Sequence, residues 1–181
     1  MDVPDYAVSV PSLSSAAADV ASGPRLEIRQ VPITHPSAQL LIEQVQEEYV
    51  VRYGGRDESP IDPDEFVEPR GAFFLAQVDG QPVATGAWRR RDGVPEAQGR
   101  PAAEIKRMYV VPSMQRRGVA RAVLAHLEAT ARDAGVEVMV LETGSAQPEA
   151  IALYVSSGYE PIAGFGHYRH SPVNRCFAKW F

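Results

Sequence analysis

The sequence predicts one domain of mixed α/β or α+β class, and three observations support this. The chain has 181 residues, of which 45% are hydrophobic and 23% charged, which suits a single compact domain. Some segments alternate apolar and polar residues, whereas others repeat apolar residues at helical spacing. The two patterns run in the order strand, helix, three strands, helix, strand, helix and two strands, which is typical of a mixed class.

The first half of the chain predicts a strand, a helix and an antiparallel meander. Residues 26–31 alternate as a strand does, and residues 37–53 carry a helical apolar repeat that Gly54 ends, with Ser37 as the N-cap. Three prolines between Arg56 and Gly71 predict a loop with one short helical turn. Beyond it, two β-rich runs flank Asp79-Gly80 as in a hairpin, and 102–111 predicts the third strand.

The second half alternates helices and strands. An apolar stripe from Gly118 to Ala134 predicts a helix that Gly135 ends. The apolar run 136–143 predicts a strand buried on both faces. Pro148 suits the first position of a further helix that Gly158 ends. Two strands, within 159–168 and 174–181, close the chain.

Composition argues against several classes of protein. The net charge of −5 disfavours binding to nucleic acid or to an anionic membrane surface, and no apolar run approaches the ~20 residues of a membrane span. Residues 1–24 lack the basic start of a secretory signal and predict a mobile tail, or alternatively an arm over a partner subunit. The single cysteine, Cys176, cannot form an internal disulfide or a cysteine-rich metal site. We therefore expect a cytoplasmic protein without a metal.

Three arginines surround the start of the second helix. Arg116, Arg117 and Arg121 lie about Gly118, although the positive end of a helix disfavours cations unless an anion joins them. A glycine there lets a ligand approach the backbone closely. The pattern predicts a phosphate or pyrophosphate site, and the alternative is a solvated basic helix start.

Two sequence blocks resemble the GNAT superfamily of acyl-CoA N-acyltransferases. Residues 115–120, QRRGVA, resemble its Q/R-x-x-G-x-G/A signature. Residues 147–159, QPEAIALYVSSGY, resemble N-x-x-A-x-x-x-Y-x-x-x-G-F, with Gln147 in place of asparagine and Tyr159 in place of phenylalanine. The resemblance covers about residues 25–181. It implies the GNAT fold, a mixed and mostly antiparallel sheet of about six to seven strands with splayed parallel strands 4 and 5 and about four helices.

The resemblance also implies acetyl-CoA as co-substrate, bound between the strands at 104–111 and 136–143. Backbone N–H groups of residues 115–120 would hold its pyrophosphate, and residues 108–110 would pair with its pantetheine arm. An N–H group near Tyr109 or Val110 would stabilise an oxyanion. The implied cofactor-binding residues are Met108, Tyr109, Val110, Gln115, Arg116, Arg117, Gly118, Val119, Ala120, Arg121, Gln147, Ala150 and Tyr154.

Three residues are candidates for catalysis. The family uses the position of Tyr154 as general acid toward the CoA thiolate, which a phenol of pKa about 10 can protonate or hydrogen-bond. The alternative is a core aromatic on an apolar helix face. Glu104 and Glu142 lie at positions where family members carry a general base, and each could instead be a salt-bridged or solvated strand-end residue. We favour Glu142 slightly.

The acceptor side is the least specified by the sequence. Tyr49 and Tyr53 lie in the segment that covers the amine pocket in the family, and Arg89 could bind a carboxylate on the amine or merely end a hairpin. We expect transfer of an acetyl group to a primary amine of a small molecule by direct attack in a ternary complex. The alternatives are a protein N-terminal or lysine acetyltransferase and a non-catalytic acyl-CoA-binding domain. We also expect a homodimer.

Overall fold

The computed structural model describes residues 25–91 and 93–181, and their strands form one mixed sheet. The sheet has seven strands in the order β1-β2-β3-β4-β5-β7-β6. The strands are β1 Leu26–Gln30, β2 Gly71–Val78, β3 Gln81–Arg90, β4 Ala102–Val110, β5 Val138–Gly144, β6 Glu160–Ile162 and β7 Asn174–Trp180. The α-helices are α1 Pro36–Tyr53, α2 Val119–Asp133 and α3 Pro148–Ser156.

The predicted fold class and element order are confirmed, with two differences at helices. The described residues hold three α-helices rather than about four, because the remaining helical segments are short 3₁₀ turns that begin at Pro63, Pro95 and Pro112. The predicted N-cap of α1 at Ser37 is wrong. Proline fits the first helical position, so α1 begins at Pro36, and the His35 side chain accepts the N–H of Ser37 at 3.2 Å. The expectation for residues 1–24 lies outside the described chain.

Helices cover both faces of the sheet, and alternation along β2 shows how. Phe74 packs in the cluster that holds α2 and α3, whereas Phe73 and Leu75 pack in the clusters that hold α1. The same alternation places Met139 and Leu141 of β5 toward α2 and α3. Consequently β5 is buried on both faces, as its continuous apolar run predicts.

The parallel strands β4 and β5 separate halfway along. Their pairs run only from Ala102↔Val138 to Ile105↔Leu141. Just beyond, β4 carries a bulge against β3, where the register shifts and Arg107 has a φ of +55°. Thr85 stabilises the bulge by donating its hydroxyl to the Arg107 carbonyl at 2.8 Å. The two strands therefore open a gap at the centre of the sheet.

Candidate active site

Two cavities meet at this gap and share Gln147. The first, the α2–α3 groove, has a volume of about 440 Å³ and lies between the end of β4, the start of α2 and helix α3. The second, the α1 pocket, has a volume of about 410 Å³ and lies under the end of α1. The α1 pocket is lined by Tyr49, Tyr53, Gly54, Gly55, Arg56, Asp57, Glu58, Lys106, Glu142, Thr143, Gly144, Gln147, Tyr168, Ser171, Val173 and Asn174.

The start of α2 presents a row of free backbone donors to the groove. Arg116 and Gly118 have φ values of +58° and +83°, and no side chain caps the helix. The first bond of the helix runs from Ala122 N to Gly118 O at 3.0 Å. Within residues 25–91 and 93–181, the N–H groups of residues 116–121 find no acceptor. Such a concave row at a helix N-terminus suits a phosphate or diphosphate.

A further donor lies on β4 at the gap. Val111 N donates to Val83 O of β3 at 2.9 Å. Because successive N–H groups of a strand point to opposite edges, the Val110 N–H points away from β3, toward the unpaired part of β5. An extended chain lying beside residues 108–110 would find this donor. The groove thus has the donors that an acyl-CoA needs, for a diphosphate at one end and an amide-bearing arm at the other.

Two of the implied cofactor residues, Val119 and Arg117, do not turn their side chains toward the groove. Val119 is 4% exposed and packs in the core, and neither its side chain nor that of exposed Arg117 lines the groove. Arg121 does line the groove, and it reaches α3 by donating to Ser156 Oγ at 3.0 Å. Gln115 fixes the loop by donating its side-chain amide to Val110 O at 3.1 Å.

Tyr154 is both a core residue and a wall of the groove. Its ring packs edge-on against Tyr159 at 5.6 Å between centroids, and Phe177 lies behind it. Its hydroxyl reaches the gap, 3.7 Å from the sulfur of Met108. Burial raises the pKa of Tyr154 well above that of a free phenol, so the hydroxyl is protonated throughout the neutral range. The site therefore holds a proton donor beside β4.

Glu142 faces the α1 pocket from the end of β5. Its Oε1 accepts a hydrogen bond from the Asn174 amide at 3.0 Å. Gly166 packs against it so closely that a Cβ there would lie 2.8 Å from Glu142 Oε2. Burial raises the pKa of this carboxyl, and the positive charge of Lys106 opposes part of that rise. A half-buried carboxylate with a raised pKa accepts a proton more readily than an ordinary glutamate does.

Glu104 and Arg89 pair with each other on adjacent strands, outside the α1 pocket. The β3–β4 register sets Arg89 opposite Glu104, and the guanidinium donates to Glu104 Oε2 through Nε at 3.0 Å and Nη2 at 2.9 Å. Arg89 also contacts Glu65. Neither residue lines the α1 pocket, and Glu104 is 1% exposed. The expected placement of Arg89 on the acceptor side is therefore corrected: its charge is used within a buried ion-pair cluster.

Tyr49 and Tyr53, the two candidate residues of the acceptor side, both line the α1 pocket. Their ring centroids lie 6.2 Å apart. Tyr53 donates its hydroxyl to Gln147 Oε1 at 3.2 Å, which ties the end of α1 to the start of α3. Burial raises the pKa of Tyr49 to about 12, so it too remains protonated. Ala150 and Gln147 lie at the boundary with the groove.

Sequence reasoning missed a group of polar residues around the α1 pocket. Asp57 accepts from Tyr168 Oη at 3.1 Å and from Ser59 N at 2.9 Å, and it pairs with Arg107 at 3.2 Å. These contacts join two loops and the β4 bulge. Lys106 follows the last residue that β4 pairs with β5. The charge of Lys106 was visible in the sequence, but nothing local indicated that the loops converge on it.

The described residues contain no group of three or more His, Cys, Asp or Glu side chains arranged to hold a metal ion. Among the same residues, no helix combines the length and the apolar character needed to cross a membrane.

Comparisons with known proteins identify the class to which this fold and site belong. A solved acyl-CoA N-acyltransferase structure from Klebsiella pneumoniae superposes with a TM-score of 0.68 at 26% identity, over 86% of this chain and 97% of that one. The model of the Acetyltransferase (GNAT) family matches residues 39–159. The chain belongs to the GNAT acetyltransferase family and is an acyltransferase.

Two curated relatives carry more specific names. An IAA acetyltransferase from Azospirillum brasilense is 30% identical over 151 residues, which cover 83% of this chain and 94% of that protein. Aminoglycoside N(6')-acetyltransferase type 1 from Stenotrophomonas maltophilia is 32% identical over 104 residues, covering 56% of this chain and 68% of that protein.

Proposed function

We propose that this protein transfers an acetyl group from acetyl-CoA to the primary amine of a small molecule, by direct attack in a ternary complex. One observation carries the proposal. The groove that contains the free N–H groups of residues 116–121 continues beside β4 to the gap between β4 and β5. Tyr154 lies on one side of this gap, and the α1 pocket with Glu142 lies on the other. A donor groove and an acceptor pocket that meet at a proton donor suit group transfer between two bound molecules.

The acyl donor would be held mainly by backbone. The diphosphate accepts hydrogen bonds from residues 116–121, and Arg116 and Arg121 add positive charge on the wall of the groove. The pantetheine arm lies along residues 108–110 as an additional strand. In this arrangement the Val110 N–H would donate to the acetyl carbonyl oxygen as negative charge develops on it.

The chemistry requires one base and one acid. The acceptor enters as an ammonium ion, and Glu142 removes a proton to give the free amine. The nitrogen attacks the thioester carbon, the C–N bond forms and the C–S bond breaks. Tyr154 gives its proton to the departing thiolate, and the second proton of the amine is released to solvent as the amide forms. Tyr154 then regains a proton from solvent and Glu142 releases its own to solvent, so that one proton is released per turnover. We assign the first step to Glu142 because Glu142 lines the α1 pocket, which Glu104 does not.

The form of the α1 pocket supports a small acceptor. Tyr168 donates to Asp57 and accepts the Glu58 N–H at 2.8 Å, so the loop before β7 is joined to the loop after α1. These loops cross the acceptor side, where a peptide would need an open groove. The names of the two relatives, an IAA acetyltransferase and an aminoglycoside acetyltransferase, also refer to small molecules.

The test has two parts, cofactor binding and turnover. Acetyl-CoA at about 100 times its dissociation constant should stabilise the protein by about 2.7 kcal/mol, which raises the Tm by about 5–11 °C in a chain of this size. Turnover is followed as release of the CoA thiol with a panel of small primary amines and, separately, with peptides. Release with peptides alone would reject the small-molecule acceptor.

Two glycine variants give a matched comparison. Gly118→Glu places bulk and negative charge among the free donors and should abolish the acetyl-CoA-induced rise in Tm. Gly135→Glu is the control, since Gly135 has a similar φ of +80°, faces open space and lies at the other end of α2. It should retain the rise. If acetyl-CoA leaves the wild-type Tm unchanged, the proposed function is wrong.

A further inference from the structure

A cation and a carboxylate face the α1 pocket from adjacent strands. The last pair of the β4–β5 ladder is Ile105↔Leu141, so Lys106 and Glu142 are the next residues on each strand. In a parallel pair, equivalent residues project to the same face. Both residues line the pocket, yet the ion pairs of the described chain do not join them. The two charges thus lie side by side at the start of the gap without neutralising each other directly.

The ammonium of Lys106 has capacity for a further partner. The Lys106 side chain is 10% exposed, and its Nζ lies 3.5 Å from Glu104 Oε1 and 3.4 Å from Ser59 Oγ. Both contacts are long compared with the 2.7–2.9 Å of a charge-assisted hydrogen bond. Glu104 already accepts two hydrogen bonds from Arg89, one at 2.9 Å. Lys106 therefore carries a largely buried positive charge that its protein neighbours satisfy only in part.

Two other charged residues of the pocket, Asp57 and Arg56, are already paired, and a third, Glu58, is exposed to solvent. Asp57 is bound by Arg107 and Tyr168. Arg56 donates to both carboxylate oxygens of Glu43 at 2.7 Å each. Glu142 has an amide rather than a cation as its hydrogen-bond partner. Of the inward-facing groups, Lys106 and Glu142 are thus the two best placed to bind ionic groups of a ligand.

We propose that the acceptor is an amino acid or a similar amine that bears a carboxylate close to its amino group, and that Lys106 binds this carboxylate. The amino group then lies toward Glu142, and the molecule's two charges match the two charges of the site. The orientation of the amine rests on the proposed function, whereas binding of the carboxylate to Lys106 does not require turnover.

The experiment compares amino acids with amines that differ from them by the carboxylate. The pairs are L-phenylalanine with phenethylamine, L-methionine with 3-(methylthio)propylamine, and L-lysine with cadaverine. Dissociation constants are measured by calorimetry on the full chain with CoA present, and kcat/KM is measured in parallel by thiol release. We expect the wild type to favour the carboxylated member of at least one pair by about 10- to 100-fold, the effect of one charge-assisted hydrogen bond.

Three variants separate recognition from a structural role. Lys106→Met should remove the preference and leave the affinity for the decarboxylated amines within about threefold. Lys106→Arg should restore most of the preference, because it retains the charge. Arg56→Met is the matched control, since Arg56 is another cation of the same pocket but is paired with Glu43, and it should retain the preference.

The outcomes are distinguishable from failure of the proposed function. The inference is supported if the amino acids bind more tightly than the matched amines and Lys106→Met removes this difference. This holds even if no amine causes release of CoA, because the absence of release would reject only the proposed reaction. Any of three results would overturn the inference. The first is equal affinity for the two members of every pair, and the second is no binding of any of the three amino acids at millimolar concentration. The third is that Lys106→Met weakens the affinity for both members of a pair to the same extent.

Discussion

Replacing Tyr154 by phenylalanine removes one hydroxyl and leaves the ring. The phenol packs against Tyr159 and Phe177, and these contacts involve the ring alone. Its hydroxyl has one hydrogen-bond partner among the described residues, the sulfur of Met108 at 3.7 Å, which is a weak acceptor. The variant should therefore lose no more than about 1 kcal/mol of stability, or about 4 °C in Tm.

The effect on turnover should be much larger than the effect on stability. If Tyr154 protonates the leaving thiolate, kcat should fall by about 10²- to 10⁴-fold, the usual contribution of a general acid. Acetyl-CoA binding should persist, because the diphosphate donors lie on residues 116–121. The measurements are the Tm, the acetyl-CoA-induced rise in Tm, and kcat from thiol release.

Tyr159→Phe is the matched control for this prediction. Tyr159 is also a buried phenol of the same ring pair, but it lines neither cavity. Its variant should retain kcat within about threefold, since its hydroxyl is not placed for proton transfer. A Tyr154→Phe enzyme that keeps its wild-type kcat, or that loses activity only together with its fold, would refute the role assigned to the phenol.

Three further variants, at Glu142, Arg89 and Gly144, test the pocket and the ion-pair cluster. Because the pKa of Glu142 is raised, kcat/KM should increase with pH around an apparent pKa above that of an ordinary glutamate. The Glu142→Gln variant should lose this pH-dependent increase. A carboxyl whose pKa is raised by burial destabilises the folded protein at pH values above the pKa of an ordinary glutamate. Glu142→Gln should therefore have a higher Tm than the wild type at neutral pH. At pH values below the pKa of an ordinary glutamate, the two proteins should have the same Tm. Arg89→Met leaves buried Glu104 without its main partner and should cost about 3–5 kcal/mol in denaturant unfolding; a rise in acceptor KM at unchanged stability would instead favour a role in acceptor binding. Gly144→Ala would overlap the Tyr53 hydroxyl, so acceptor KM should rise while the acetyl-CoA-induced rise in Tm persists; an unchanged KM would remove Tyr53 from the acceptor site.

Local patterns in the sequence predicted the fold well because each element carries its own signals. The stripe of α2 and the glycines on either side of it define that helix without reference to the rest of the chain. The apolar run of β5 likewise indicates burial on both faces. The start of α2 was predictable for the same reason, since Gly118 and its neighbouring arginines lie together in the sequence.

The acceptor side depends on contacts between distant parts of the chain. Tyr168 and Asp57 are 111 residues apart, and both lie in loops that show no periodic pattern. The position of Arg89 depends on the β3–β4 register, which the bulge at Arg107 shifts. No sequence window contains both strands and the bulge, so the sequence could not show that Arg89 lies against Glu104 rather than in the pocket.

The choice between the two candidate bases depends on their neighbours. Glu104 and Glu142 are both strand residues on the face toward α1, and no local sequence pattern distinguishes one from the other as the base. In the fold, the guanidinium of Arg89 occupies Glu104 Oε2, and the carboxylate has no access to the pocket. Glu142 has a neutral amide partner and opens to the pocket, and burial raises its pKa. A group that must take and release a proton needs both access and moderate proton affinity, so the proposed base is Glu142. Glu104 instead pairs with Arg89 and so joins β4 to β3.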